Sequence, residues 1–310
     1  SFQCPVCSMT RSTAFSLGNI WIGMDNDGIF MLDARSGEVA KVEQAGGSTF
    51  RFVDNHVACL YKDDESATMW VGMSKQGVVF SSLTQPAISV VRMPGMEDVS
   101  CLTEDSLGRL WLGFDSQGIG MVSLGSDGVW RQDMPMHRLK AAGGGISSNQ
   151  IVCSFIDSRG RHWWGSYGGS LYYMEDGTIH RIRDDRLNYV ASMAEDGDGC
   201  LWFATSFEGL YCMHPDGRTD AYRMADTELS TDALTDVRMG EGSTLYVGTS
   251  NGLYALDTRT RRFRQLSHEH IKALWVDSHR QLWVGMRDGL AVKDLRQPES
   301  AFRLDRKSVV

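Results

Sequence analysis

Leu110-Trp111-Leu112-Gly113, followed five residues later by Gly118-Ile119, is the phrase on which the reading of this chain turns. The phrase occurs seven times. The other copies are Ile20-Trp21-Ile22-Gly23, Met69-Trp70-Val71-Gly72, His162-Trp163-Trp164-Gly165, Leu201-Trp202-Phe203-Ala204, Leu245-Tyr246-Val247-Gly248 and Leu282-Trp283-Val284-Gly285. After a short polar turn each is answered by a glycine and an apolar residue, as in Gly28-Ile29, Gly77-Val78, Gly169-Ser170-Leu171, Gly209-Leu210, Gly252-Leu253 and Gly289-Leu290. Successive aromatics Trp21, Trp70, Trp111, Trp163, Trp202, Tyr246 and Trp283 lie 49, 41, 52, 39, 44 and 37 residues apart. A period near forty with several short strands per unit is the signature of a β-propeller. The sequence therefore predicts an all-β chain, a seven-bladed β-propeller of four-stranded antiparallel blades. The expected blades are 1–48, 49–94, 95–145, 146–186, 187–230, 231–267 and 268–310.

The third unit parses most clearly. Val99–Thr103, Leu110–Gly113, Ile119–Val122 and Gly128–Arg131 are short apolar or β-branched runs, separated by Gly, Asp and Ser turns. The aromatic belongs to the second strand, which neighbouring blades cover on both faces, so the run is continuously apolar rather than alternating. Burying one such ring removes a large apolar area from water, worth about 1.5–3 kcal/mol. The glycine after it is expected to serve a tight strand end or a close neighbour. The first blade is expected to start with a strand over residues 6–11 and the last to end with one over 301–304. Closure by blade packing and closure by a shared blade both remain open at this point.

With 42% hydrophobic and 23% charged residues the chain has an ordinary globular composition. A net charge of −8 argues against a nucleic-acid footprint, which needs a basic face. No apolar run approaches twenty residues, so no membrane-spanning helix is expected. The chain starts at Ser1 rather than methionine and lacks the basic start and apolar core of a signal peptide, so it reads as a mature or excised piece. Seven cysteines suggest at first a disulfide or metal framework. Cys59, Cys101 and Cys153, however, precede their unit's tryptophan by 11, 10 and 10 residues, where later units hold Ser192, Asp236 and Ala273. Cys7 takes the corresponding place in the first unit. This is one small-residue position on the first strand, and its thiols read as small buried hydrophobes. Cys4-Pro-Val-Cys7 has no second pair to complete a zinc site.

The combined unit is a small-apolar strand, an Asp-x-x-Gly turn, apolar-Trp-apolar-Gly, then Gly-Leu. It resembles the two-component regulator propeller repeat, most closely over residues 99–119, 190–210 and 271–290. The resemblance covers nearly the whole chain, departing at Gly165-Ser166-Tyr167 and Tyr246. It implies the periplasmic sensor of hybrid two-component systems of Bacteroidetes, in which propellers precede a membrane-proximal β-sandwich, a membrane helix and kinase modules. Implied partners are an oligosaccharide, a second propeller and the sandwich domain of the same protein, and a second copy of the full-length protein. Implied also is a sensing role without catalysis by this chain, with no cofactor and no nucleic acid bound. The ligand contacts of the family are not part of the repeat motif.

The connections between blades emerge on the same face as the turns between second and third strands. That face is expected to collect Asp25, Ser74, Asp115, Tyr167, Phe207, Asn251 and Arg287, with His137, Arg138, Lys140 and His268 from the connections. Aromatic faces stack on sugar rings while Arg, Lys, Asn and Asp satisfy hydroxyls. Asp115, His137, Arg138, Lys140, Tyr167, Phe207 and Arg287 are the candidate ligand-binding residues. The alternative for Tyr167 and Phe207 is that they plug the end of the ring. Asp196-Gly197-Asp198-Gly199 lacks the distal ligands of a calcium loop and reads as a hairpin turn. His268-Glu269-His270 lacks a third ligand, so no metal site is expected. Arg181, Arg183 and Arg186 read as a solvated outer strand and turn. No nucleophile elbow or phosphate loop is present. A protein-interaction scaffold is the second functional reading, and a propeller hydrolase or lyase ranks last.

Overall fold

The computed structural model describes residues 9–16, 19–24, 28–33, 37–42, 56–63, 68–74, 77–82, 88–91, 98–125, 130–134, 148–287, 289–297 and 300–305. The apolar-aromatic-apolar phrases form strands Asn19–Met24, Thr68–Met73, Leu110–Phe114, His162–Ser166, Leu201–Thr205, Thr244–Thr249 and Gln281–Met286. Each is the second strand of a four-stranded sheet whose strands pair in chain order. Seven such antiparallel meanders make up the fold, and among the described residues the sole helical element is the 3-10 turn Asp185–Leu187. The seven repeat aromatics are all buried, Trp202 completely and Tyr246 least, at 8% exposure.

Two compact units divide the sheets. One comprises Thr10–Ile156 and Gly160–Arg183, and the other is carried by Asp184–Val310 with Asp157–Arg159. The first strand among the described residues is Met9–Ser16, residues 6–8 lying outside them, and the last is Arg303–Asp305 rather than 301–304. The pairing partner sets the start of the last strand, Arg303 facing Val292, because a strand extends as far as its neighbour supplies hydrogen bonds. The outer strand of the third sheet likewise is Trp130–Met134. Cys4, Cys7, Gly128 and Val129 lie outside the described residues.

Register explains the repeat phrase. Cys59, Cys101, Cys153, Ser192, Asp236 and Ala273 stand opposite Gly72, Gly113, Gly165, Ala204, Gly248 and Gly285. A Cβ on Gly113 would strike Cys101 Sγ and come within 2.7 Å of Ile151 in the following blade, and one on Gly72 would strike Cys59 Sγ and meet Val99 at 2.9 Å. The glycine is thus a site of close approach: it lets the next blade's first strand lie against the second. Gly248 does the same against Ile271, at 2.7 Å. Burial raises the Cys101 thiol to about 11 and Cys59 well above its ordinary value, so both remain neutral thiols. These two are buried, and Cys153 is partly buried.

A second device fixes the tryptophans. Asp105, Asp196 and Asp277 each lie six residues before the indole. Each carboxylate accepts two turn amides on Oδ1 and the indole N–H on Oδ2, at 2.9, 2.8 and 2.9 Å for Trp111, Trp202 and Trp283. The hairpin turn and the core residue are clipped by one side chain, so the indole donors of Trp111, Trp202 and Trp283 are all met. In the sixth sheet Tyr246 has no indole N–H. There the aspartate position is Gly240, where any Cβ would sit 2.5 Å from the tyrosine ring.

Asp236 is buried on a first strand. Its carboxylate accepts Ser192 Oγ at 2.6 Å, the Val237 amide at 2.9 Å and the Leu274 amide at 2.7 Å, joining three successive sheets. Hydrogen bonding on this scale is what makes a buried carboxylate tolerable.

Candidate functional site

The turns that leave the second strands carry the exposed residues singled out from the sequence. In the unit that ends at Arg183, Asp115 follows Leu110–Phe114 and Tyr167 follows His162–Ser166. Gln150 joins them. Its side-chain amide donates to Asp115 Oδ1 at 2.7 Å, and its carbonyl accepts the Tyr167 N–H at 2.8 Å. Ser148 Oγ donates to the Tyr167 carbonyl at 3.0 Å. The Tyr167 side chain remains 47% exposed. Beneath it the buried Ser166 hydroxyl accepts the Ser170 N–H at 2.8 Å and donates to the Ser170 carbonyl at 2.7 Å. Arg181, exposed on outer strand Thr178–Ile182, reaches back to Ser170 Oγ at 2.6 Å and the Gly169 carbonyl. Its guanidinium therefore braces this turn as well as facing solvent.

In the other unit Phe207 is 56% exposed, with Tyr189 packed edge-on against it at 5.1 Å. Next to it, Arg223 donates from one nitrogen to Glu208 Oε2 at 2.6 Å and to the Tyr211 hydroxyl at 2.8 Å. Arg186 lies over the Tyr211 ring at 5.5 Å and holds Asp184 through two nitrogens, at 2.8 and 2.6 Å. The Arg186 hydrogen bonds keep the Asp184 carboxyl below the usual carboxylate range. The cluster offers two aromatic surfaces, two guanidinium groups and two carboxylates to solvent, an arrangement suited to a polyhydroxylated ligand. The connection 223–233 is braced from below. Tyr254 donates to Ser230 Oγ at 2.8 Å, the Met224 amide donates to Asp232 Oδ1 at 2.7 Å, and Leu229 is buried.

Of the sequence candidates, the structure brings Asp115 and Tyr167 together through Gln150 and seats Phe207 within an aromatic-ionic cluster. Arg287 is exposed at the turn after Gln281–Met286. Asp25, His137, Arg138 and Lys140 lie outside the described residues. His268, Glu269 and His270 are exposed and form no metal-ligand group. Gln150, Tyr189, Glu208, Tyr211 and Arg223 were not legible as site residues. Arg223 stands 15 residues after Glu208 in sequence, and only the return of outer strand Thr219–Tyr222 beside Leu210–Met213 makes them neighbours.

The structure also assembles a group that the repeat spacing of the cysteines does not predict. Cys200, Cys212 and His214 place their ligating atoms within 4.8 Å of one another, and among the described residues they are the one such group. Burial pushes the Cys212 thiol up to about 12, while the Arg261 guanidinium, 3.6 Å from its sulfur, pulls the other way. Cys200 is raised by burial and by Asp196.

Comparison with known structures agrees with the architecture. The extracellular domain of a proposed one component system from B. thetaiotaomicron is 18% identical with a TM-score of 0.73, over 93% of this chain and 40% of its own. A catalytically inactive virginiamycin B lyase from Staphylococcus aureus, with quinupristin, is 14% identical with a TM-score of 0.71, over 92% of this chain and 94% of its own. At these identities the likeness concerns the fold alone. The chain is a seven-bladed β-propeller. No curated protein matches its sequence. The two component regulator propeller family matches residues 185–207, so the chain carries a repeat of the family that its sequence resembles. It spans less than half the length of the B. thetaiotaomicron structure. No helix among the described residues is long and apolar enough to cross a membrane.

Proposed function

We propose that this propeller is a periplasmic sensing domain of a two-component regulator and that it recognises a glycan-derived oligosaccharide rather than transforming one. The observation that carries the reading is the exposed Phe207, with the half-buried Tyr189 packed against it, beside the Glu208–Arg223–Tyr211 network. Tyr189 and Phe207 lie within the segment that matches the regulator family. An aromatic face stacks on a pyranose ring, and the flanking carboxylate and guanidinium satisfy its hydroxyls. Signalling follows if the sugar binds one arrangement of the surrounding ectodomain more tightly than another, since only differential affinity shifts a population. A second propeller and a membrane-proximal domain of the same protein, and a second copy of it, are the proposed receivers of that shift.

The test is a thermal-shift screen of the chain against plant, host and microbial oligosaccharides. A ligand at one hundred times its dissociation constant adds about 2.7 kcal/mol to the folded state. One glycan class is expected to raise the melting temperature in a concentration-dependent way, and Phe207→Ala and Arg223→Ala are expected to abolish the rise. A shift that survives both substitutions moves the site elsewhere on the propeller. Silence from this chain alongside a response of the whole ectodomain overturns binding by this propeller alone. Silence from both favours a protein partner.

A further inference from the structure

Cys200 closes the turn before second strand Leu201–Thr205, Cys212 lies on third strand Leu210–Met213, and His214 follows it. Trp202 pairs with Cys212 and Leu201 with Met213, so Cys200 stands across from His214, while Asp220 on the outer strand pairs with Cys212. Residues two apart on a strand share a face, as do directly opposed residues. The pairing therefore puts two thiols, an imidazole and a carboxylate on one face of one blade. His214 Nδ1 lies 3.6 Å from Cys200 Sγ, and His214 Nε2 lies 2.7 Å from Asp220 Oδ2. Zinc bonds of about 2.3 Å to sulfur and 2.0–2.1 Å to nitrogen, at the tetrahedral angle, place the two ligand atoms about 3.6 Å apart.

We propose that Cys200, Cys212 and His214 form a binding site for a thiophilic cation with a filled d shell, Zn2+ or Cu+. Thiolate and imidazole donors select these ions over the oxygen-seeking Mg2+ and Ca2+. Asp220 supplies the outer hydrogen bond that metal-bound imidazoles almost always make: accepting from Nε2–H, it leaves the Nδ1 lone pair directed at the sulfurs. Both thiols release their protons to the buffer as the ion enters. The Arg261 guanidinium, 3.6 Å from Cys212 Sγ and 4.8 Å above the Trp202 ring, offsets the negative charge that two thiolates bring. The two thiols are both free in the structure. Their strand positions are diagonal across the hairpin, and their sulfurs lie within 4.8 Å of each other. An ion bonded to both at about 2.3 Å bridges sulfurs about 3.8 Å apart, within that reach. The site is independent of the proposed oligosaccharide surface.

The experiment titrates the reduced protein with Zn2+ and separately, without oxygen, with Cu+, each against a chromophoric competitor, and counts bound metal. One equivalent of at least one ion is expected, with a thiolate-to-metal charge-transfer band in the ultraviolet difference spectrum between loaded and metal-free protein. His214→Ala and Cys212→Ser are expected to lose this binding, and Asp220→Asn to weaken it about 10–100-fold. Cys59→Ser, which alters a thiol outside the group, is expected to bind as the unaltered protein does. The metal count and the charge-transfer band need no substitution, so they decide the matter even where a variant fails to fold. Failure of both ions to bind, binding unchanged in His214→Ala, or a Cys200–Cys212 disulfide in protein purified without reductant overturns the proposal.

Discussion

His162 makes the stability of its unit sensitive to mild acid. The imidazole is buried, stacked on Trp164 with ring centres 4.3 Å apart and edge-on to Trp111 at 5.0 Å, with Nε2 2.6 Å from Thr103 Oγ1. Burial lowers its pKa to about 3. Asp105 works against the shift and Arg109 adds to it. In the unfolded chain the same ring titrates near 6.5. Between those values the unfolded chain binds a proton that the fold excludes, so stability is full above about pH 6.5 and falls as pH drops toward 3. The loss from this one group is about 2 kcal/mol between pH 7 and pH 5, and about 3 kcal/mol by pH 4. His162→Phe keeps the stack on Trp164 and removes the titration. Its cost at pH 7 is on the order of 1 kcal/mol for the lost hydrogen bond. The variant is therefore less stable than the parent at pH 7 and more stable at pH 5. Urea unfolding followed by tryptophan fluorescence measures the crossing, and the ring's own titration by nuclear magnetic resonance measures its cause. Equal losses in parent and variant between pH 7 and pH 5, or a folded-state imidazole titrating near 6.5, refute the reasoning.

Gly113→Ala forces a Cβ against Cys101 and Ile151, and it is expected to cost about 1–3 kcal/mol in urea unfolding, as overpacking does. Gly285→Ala, whose Cβ would find Ala273 at ordinary distances of 3.5–3.7 Å, is expected to be the milder substitution in the same assay. Asp277→Ala removes two turn hydrogen bonds and strands the buried Trp283 indole N–H; the expected loss is roughly 2–4 kcal/mol. Phe207→Ala, on an exposed ring, is expected to change unfolding stability by no more than about 0.5 kcal/mol while abolishing the oligosaccharide response in the thermal-shift screen.

Much of the fold was legible because a repeat states its own grammar. Seven copies of apolar-aromatic-apolar-small residue locate seven second strands, and the structure places a strand on every one. Hairpin turns were equally legible, since Asp-x-x-Gly patterns mark them through local chemistry alone. Strand ends were less so: Arg303–Asp305 starts where it meets Val292, a pairing partner that no short local window contains. The second role of the turn aspartates was written in the constant spacing of six to the tryptophan. It becomes a hydrogen bond only when the hairpin brings carboxylate and indole together.

The candidate sites divide in the same way. Phe207 and Tyr167 were found because a large exposed ring in a turn position is visible from the repeat register. Their partners were not, because Gln150 lies 35 residues from Asp115, and Arg223 lies 15 from Glu208. Periodicity placed Cys59 and Cys101 correctly as buried small residues, a property of one position in every blade. It said nothing of Cys200 and Cys212, which belong to one blade only. The sequence by itself determined the number of blades, the identity of their buried strands and the chemistry of their turns, because these rest on patterns within a few residues. The tertiary structure alone decided which side chains meet, whether two thiols with an imidazole or an arginine with a tyrosine. Cross-strand pairing, not spacing along the chain, sets those distances.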